Sequence, residues 1–130
     1  SHTDIIHETI MENIRLANIN ASDDEVIEAA KRAFIHELIM SLPDQYQTII
    51  SSSHTHLSEG EKQRISLARC FVSTAQFWIL DEPTSNVDSL NEAWIIKSLK
   101  ENADDKTILI ISHRQSTLAQ CDSLFTINTK

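Results

Sequence analysis

Two short apolar runs in the second half of the chain constrain its fold more than any other feature. The first run is Phe77–Leu80 and the second is Thr107–Ile111. Strands that are buried on both faces, as in a parallel sheet, have continuous apolar runs of this kind. Between them, a helix is predicted to begin at a capping box of Ser89 with Glu92 and to reach Asn102. The order strand, helix, strand therefore predicts an α/β fold with a parallel sheet.

The first half of the chain has helical signals. A short helix is predicted over residues 7–17, and a longer one begins at the capping box of Ser22 with Glu25 and stops at Pro43. The apolar stripe of the longer helix consists of Val26, Ala30, Phe34 and Leu38. The other predicted elements are an irregular connection over residues 47–56, a helix that Ser58 caps with Glu61, a short helix over residues 116–121 and a strand over residues 124–127.

The composition excludes several classes of protein. A chain of 130 residues that is 41% hydrophobic can form one small domain with a core. The net charge of -8 opposes a nucleic-acid partner, because phosphate binding needs a surplus of Lys and Arg. No apolar run approaches the roughly 18 residues of a membrane-spanning helix. Cys70 and Cys121 are too few for a disulfide framework, so we interpret both as reduced thiols of a cytosolic protein.

Glycine is scarce in this chain, with Gly60 as its single example. Glycine is needed where the backbone approaches a ligand closely or adopts a positive φ. A phosphate-binding loop with two glycines is therefore excluded within these 130 residues.

Two adjacent carboxylates, Asp81 and Glu82, directly follow the first apolar run. In open α/β sheets, ligands bind beyond the carboxyl ends of the strands, which is where both side chains fall. Asp81 could hold Mg²⁺ directly or through water, and Glu82 could orient or deprotonate an attacking water. The alternative is a solvated acidic loop.

His113 follows the second apolar run and is expected at the same edge of the sheet. It could contact a terminal phosphate there, or it could be a structural histidine. A hydrolase triad built on Ser112 and His113 needs a strained turn with flanking glycines, and the sequence has none at this place.

The helix that begins at Ser58 has an N-terminus suited to an anion, because its first N–H groups are unpaired and its dipole is positive there. The alternative is simply a well-capped helix. His54 and His56 could suggest a metal site, but two ligands without a third favour a solvated loop.

Taken together, these motifs resemble those of the ATPase domain of ABC transporters, over nearly the whole chain. The matching segments are Leu57–Arg69 for the signature helix, Ile79–Ser85 for the Walker B strand, Ser85–Asp88 for the D-loop, Ile110–Thr117 for the switch histidine and Thr9–Ile14 for a segment after the Q-loop. The His-Arg-x-Ser-Thr form of residues 113–117 and the Glu-Asn-Ile of residues 12–14 are similar to the exporter branch.

The resemblance implies a partial P-loop NTPase core with a parallel sheet, plus an α-helical signature subdomain. Residues 1–56 would form the helical subdomain segment, and residues 57–130 the signature helix and the Walker B, D-loop and switch-histidine part of the core. The cofactors would be ATP and Mg²⁺. The partners would be a second nucleotide-binding domain, in a head-to-tail dimer, and the transmembrane domains of a transporter. The chain would lie at the cytoplasmic face of the inner membrane.

The resemblance also implies a role for each site residue. Asp81 would serve Mg²⁺, Glu82 the attacking water and His113 the γ-phosphate of ATP. The groups that would address ATP held mainly by the partner, or couple the two sites, are Ser58, Gly60, Glu61 and Asp88.

Three departures from the family pattern stand out. The Walker A loop and its lysine are absent, so we expect no ATP binding or activity by this chain alone. Glu59 replaces the first glycine of the signature and brings negative charge to an anion site. Ser51–His54 occupies a stretch that is usually glycine-rich and acidic in exporters.

Two other interpretations stay open. The chain could be a degenerate, non-hydrolysing module whose signature serves a competent ATPase in trans, which Glu59 favours and the intact Asp81, Glu82 and His113 oppose. It could also be an ABC ATPase of the chromosome or DNA-repair type, but the short helical segment and residues 63–69 look like transporters.

Overall fold

A computed structural model of the protein describes residues 5–53, 57–102 and 106–123. Six helices and four strands are assigned within these ranges, together with a 3-10 turn at Gln45–Gln47. In chain order they are β1 (Glu8–Thr9), α1 (Ile10–Arg15), α2 (Asp23–Arg32), α3 (His36–Ser41), β2 (Ile49–Ile50), α4 (Glu59–Val72), β3 (Phe77–Asp81), α5 (Ser89–Asn102), β4 (Thr107–Ile111) and α6 (Gln115–Leu118).

The two apolar runs form the predicted parallel sheet. Phe77 of β3 lies opposite Thr107 of β4, and Asp81 lies opposite Ile111. Helix α5 connects the two strands, as the sequence predicts. The α/β fold class is therefore confirmed. The strand predicted over residues 124–127 lies outside the described residues, as do His54 and His56.

Helix α4 is the centre of the apolar core. It packs against α1, α2 and α5. Its fully buried side chains include Ile65, Ala68 and Cys70. Both cysteines are free, and burial raises the pKa of the Cys70 thiol to about 11. This agrees with the interpretation of both residues as reduced thiols.

The two faces of the β3–β4 sheet differ in burial. Trp78, Leu80, Ile108 and Ile110 pack against the helical core. The apolar side chains on the opposite face are 44–56% exposed; they are Phe77, Ile79, Leu109 and Ile111. Parallel strands are normally covered on both faces, so the prediction of fully buried strands is correct for one face only within the described residues.

The helix that begins at Ser22 is shorter than its apolar stripe predicts. The capping box of Ser22 with Glu25 is present, but α2 ends at Arg32. Phe34, with φ of 57°, then separates α2 from α3. The buried Arg64 of α4 donates to the carbonyl oxygen of Phe34 at 2.6 Å. A side chain from another element therefore satisfies this backbone oxygen at the point where the helix is interrupted.

The N-terminal segment also differs from the prediction. The helix expected over residues 7–17 begins only at Ile10, because the Thr9 side chain caps it by accepting from the Glu12 N–H. Residues 8–9 instead form β1, which pairs antiparallel with β2. The connection expected to be irregular over residues 47–56 therefore contains a short strand.

Helix α5 is capped by a different residue from the one predicted. The Asp88 side chain accepts from the Asn91 N–H at 2.7 Å, which makes Asp88 the N-cap. The predicted capping box of Ser89 with Glu92 is wrong, because Glu92 turns into the protein and binds α6 and its flanking residues. The final helix, predicted over residues 116–121, is the short α6.

None of the helices in the described residues is long and apolar enough to cross a membrane.

Candidate functional site at the carboxyl edge of the sheet

Glu82 and His113 lie together where the two strands end. Glu82 Oε1 is 3.4 Å from His113 Nε2. The Glu82 side chain is only 22% exposed, whereas that of His113 is 95% exposed. The pair thus combines a sheltered carboxylate with an imidazole that is open to solvent.

The backbone at Glu82 is held in an unusual conformation. Its φ is 53°, in the left-handed region that residues other than glycine rarely adopt. The Glu82 N–H donates to the carbonyl oxygen of Ile111 at 2.7 Å, which ties this residue to the end of β4. Such a conformation costs on the order of 1–3 kcal/mol and is concentrated at functional sites. The strained turn thus holds Glu82 at the end of β4.

Asp81 ends β3 and is exposed at the same edge. The described residues contain no cluster of three or more His, Cys, Asp or Glu that could enclose a metal ion. Mg²⁺ needs no such enclosure, because it keeps several waters and binds through one or two carboxylates plus substrate phosphates. Asp81, next to Glu82, fits that donor set.

The tip of α4 is a closed capping box. The Ser58 Oγ accepts from the Glu61 N–H at 3.2 Å, and the Glu61 Oε1 accepts from the Ser58 N–H at 2.9 Å. Ser58 is exposed at this tip. The Glu61 carboxylate, which the resemblance assigns to nucleotide binding, is bound to the backbone of its own helix.

Gly60 is buried against α5. A Cβ built at Gly60 would lie 2.4 Å from the Cβ and Cγ of Asn91. The resemblance assigns Gly60 to the group of residues that would address ATP held mainly by the partner. The structure gives it a second purpose, which is the close approach of α4 and α5.

We expect Gly60→Ala to destabilise the protein by about 1–3 kcal/mol, because overpacking a fixed contact has this cost. The measurement is the free energy of unfolding in denaturant. Ser66→Ala on the same helix is the control, since the buried Ser66 Oγ has no hydrogen-bond partner in the described part of the chain. Equal stability of Gly60→Ala and wild type would contradict the packing explanation.

Asp88 is exposed and joins α5 to the loop before it. Its Oδ1 accepts from both the backbone N–H and the side-chain Nδ2 of Asn91. The Asn91 backbone N–H is the main cause that lowers the pKa of Asp88. Asn91 thus contacts Asp88 and also faces Gly60, so the tip of α4 and the start of α5 form one packed unit.

The predicted site residues therefore form two groups. Asp81, Glu82 and His113 lie at the edge of the sheet. Ser58, Gly60, Glu61 and Asp88 lie around the N-termini of α4 and α5.

One residue of the site was missed by sequence reasoning. Glu92 is only 8% exposed and receives bonds from residues that follow His113. The signal was present in the sequence. Glu92, Ile95 and Leu99 share one helical face, which places a carboxylate on the buried stripe of α5.

Comparison with known proteins finds relatives over most of the chain. The sequence model of the family described as "ABC transporter" matches residues 2–85. A "Probable ABC transporter ATP-binding/permease protein" of Haemophilus influenzae is 54% identical over 125 residues, which are 96% of this chain and 23% of that protein. "ABC transporter B family member 24, mitochondrial" of Arabidopsis thaliana is 43% identical over 94% of this chain and 18% of that protein.

The fold of the chain is also similar to that of a solved ABC exporter structure. The "Structure of a bacterial Atm1-family ABC exporter with ATP bound" matches with a TM-score of 0.80 and 36% identity. The match covers 91% of this chain and 21% of that one. The chain spans less than a quarter of the length of the Haemophilus and Arabidopsis relatives.

Proposed function

Since this chain belongs to the ABC transporter family, we propose that it is part of the ATP-binding and hydrolysing domain of an exporter. The observation that carries the proposal is the 3.4 Å contact of Glu82 with His113, beside Asp81 at the carboxyl edge of a parallel sheet. The test is ATP hydrolysis by the complete transporter with and without the Glu82 carboxylate.

The chemistry assigned to this edge is the hydrolysis of ATP, in which water forms a bond to the γ-phosphorus while the bond from that phosphorus to the β–γ bridging oxygen breaks and ADP leaves. Glu82 orients the water and accepts its proton, as a general base within hydrogen-bond reach can. His113, exposed beside it, donates a hydrogen bond to the γ-phosphate. Bound Mg²⁺ neutralises charge on the phosphates, and Asp81 is the carboxylate that would hold it.

The exposed tip of α4 supports the second part of the proposal. Ser58 and the capped helix N-terminus turn toward solvent rather than into the core. A helix N-terminus favours an anion, and here the anion is ATP held mainly by a second nucleotide-binding domain in a head-to-tail dimer. Gly60 and Glu61 shape this tip, and Asp88 couples the two sites across the dimer.

The other partners follow from the exporter proposal. Residues 1–56 form the helical segment that faces the transmembrane domains, and residues 57–130 form the signature helix and the catalytic part of the core. The domain would lie at the cytoplasmic face of the membrane.

A polypeptide with a single glycine has no two-glycine phosphate loop, so the 130 residues alone are proposed to be inactive. The net charge of -8 opposes a nucleic-acid partner.

A degenerate partner module is the second candidate, and Glu59 favours it. The Glu59 carboxylate lies in the first turn of α4, 3.7 Å from the Lys62 ammonium. A carboxylate at this tip repels the phosphates of ATP, and the ion pair offsets only part of that repulsion because both side chains are partly exposed.

We expect Glu59→Gly in the complete transporter to raise the ATPase rate, by about fivefold if about 1 kcal/mol of charge repulsion is removed. Glu59→Gln is the matched variant, because it removes the charge and keeps the size. A gain with Gly alone would identify the side chain's bulk as the obstacle. An unchanged or lower rate with both variants would contradict the repulsion.

A further inference from the structure

We propose that Glu92 is a positioning residue that fixes the position of His113 relative to Glu82. This inference rests on the proposed function. Glu92 lies on α5, and its carboxylate binds the segment that directly follows His113. The Glu92 Oε2 accepts from Ser116 Oγ at 2.5 Å and from Thr117 Oγ1 at 3.1 Å, and it lies 3.2 Å from Arg114 Nε.

The same cluster reaches the segment that follows Glu82. The Arg114 Nη1 donates to the carbonyl oxygens of Thr84 at 2.7 Å and of Val87 at 3.1 Å. Arg114 is adjacent to His113, and Thr84 is two residues beyond Glu82. Glu92 therefore fixes the guanidinium that connects the two loops carrying the catalytic pair.

The hydroxyl groups of Thr84 and Thr117 form a second connection between the two loops, and the donor in each of its hydrogen bonds can be assigned. A carboxylate only accepts hydrogen bonds, so Thr117 must use its single hydroxyl proton toward Glu92. In the 2.6 Å contact between Thr84 Oγ1 and Thr117 Oγ1, Thr84 is then the donor. Thr84 and Thr117 are each 1% exposed. The chain Thr84, Thr117, Glu92 thus forms a second, buried link between the loops.

A buried carboxylate is an unusual choice for stability alone. Removing an ion pair from water costs free energy that its own attraction often fails to exceed, and apolar replacements are often as stable. Three donors that converge on one oxygen do fix the geometry of the groups around it. A misplacement of about 1 Å in a catalytic group can reduce a rate about 100-fold, so the loops need such a constraint.

The test measures ATP hydrolysis by the complete transporter carrying Glu92→Gln, His113→Ala or both. Gln has the size of Glu, but it lacks the negative charge that holds the Arg114 guanidinium and offers the three donors only a neutral, weaker acceptor. We expect Glu92→Gln alone to lower kcat about 10-fold, a tenth of what a 1 Å misplacement can cause, while the KM for ATP stays near wild type. In the His113→Ala background the same change should have almost no effect, because no pair remains to be positioned.

Glu101→Gln is the matched control, since Glu101 lies on the same helix, exposed and 3.9 Å from Lys97. It should leave kcat and KM unchanged. If Glu92→Gln does not fold, Ser116→Ala removes one donor at an exposed residue and should show the same dependence on His113 with a smaller loss of kcat.

Each outcome decides the proposal. The same fractional loss of kcat with and without His113 would show a general structural role and overturn it. Wild-type kcat in both Glu92→Gln and Ser116→Ala would overturn it as well. Full activity of His113→Ala would instead refute the proposed function of the pair, and the positioning role with it.

Discussion

Replacing Glu82 by Gln in the complete transporter should reduce ATP hydrolysis at least about 100-fold, the usual lower limit for loss of a general base. Gln keeps the size of the side chain and one acceptor oxygen, but it has no group that takes a proton from water at neutral pH. The Glu82 carboxylate has the required setting, since it is sheltered and lies 3.4 Å from His113. The steady-state rate of phosphate release is the measurement.

Binding of ATP should survive this change, because the carboxylate acts on the water and contributes little to holding the nucleotide. Nucleotide retention after gel filtration would show that the Glu82→Gln protein is folded and loaded. Glu101→Gln is the charge-matched control on an exposed part of α5. Hydrolysis near the wild-type rate in Glu82→Gln would exclude Glu82 as the base.

Replacing Asn13 by Ala should destabilise the protein by about 3 kcal/mol, because several part-buried hydrogen bonds, worth about 0.5–1.5 kcal/mol each, would be lost together. The fully buried Asn13 holds the N-terminal segment together. Its Nδ2 donates to the carbonyl oxygens of Ile6, Glu8 and Thr9, at 3.0–3.2 Å. Its Oδ1 accepts from the Ile6 N–H at 2.9 Å and from Arg69 Nη2 at 3.0 Å.

The Arg69 contact extends the expected effect to α4. Arg69 also donates through Nε to the Asn13 carbonyl oxygen at 2.6 Å, so α1 and the signature-like helix share one polar centre. The measurement is the free energy of unfolding in denaturant. Asn20→Ala, at an exposed position, is the control and should change it by less than about 0.5 kcal/mol. Similar values for the two variants would contradict the importance of Asn13.

The elements that follow from local sequence were predictable. The short apolar runs of β3 and β4, each ending at polar residues, indicate strands, and the capping boxes at Ser22 and Ser58 need only residues three positions apart. The meeting of Glu82 with His113 also followed, because parallel strands place their carboxyl ends at one edge. These features depend on the residue pattern within each element and on the residues at which each element begins and ends.

The features that escaped prediction depend on contacts between distant segments. The break at Phe34 is stabilised by Arg64, thirty positions away. The purpose of Gly60 becomes visible only with Asn91 beside it. The sequence pattern of Glu92 fits a capping box with Ser89. In the structure, its carboxylate instead points into the protein, where it binds Arg114 and Thr117. The local pattern places Glu92 on the buried face of α5, but it does not identify the donors that Glu92 meets there.

In the proposed dimer, this chain contributes its sheet edge to one ATP and the tip of α4 to another. The most direct measurement is a cryo-EM structure of the complete transporter with Glu82→Gln and Mg-ATP. We expect Ser58 within hydrogen-bond distance, about 3 Å, of the γ-phosphate bound by the second nucleotide-binding domain, with His113 at the γ-phosphate of its own. ATP bound with Ser58 and His113 both remote from any phosphate would contradict this arrangement.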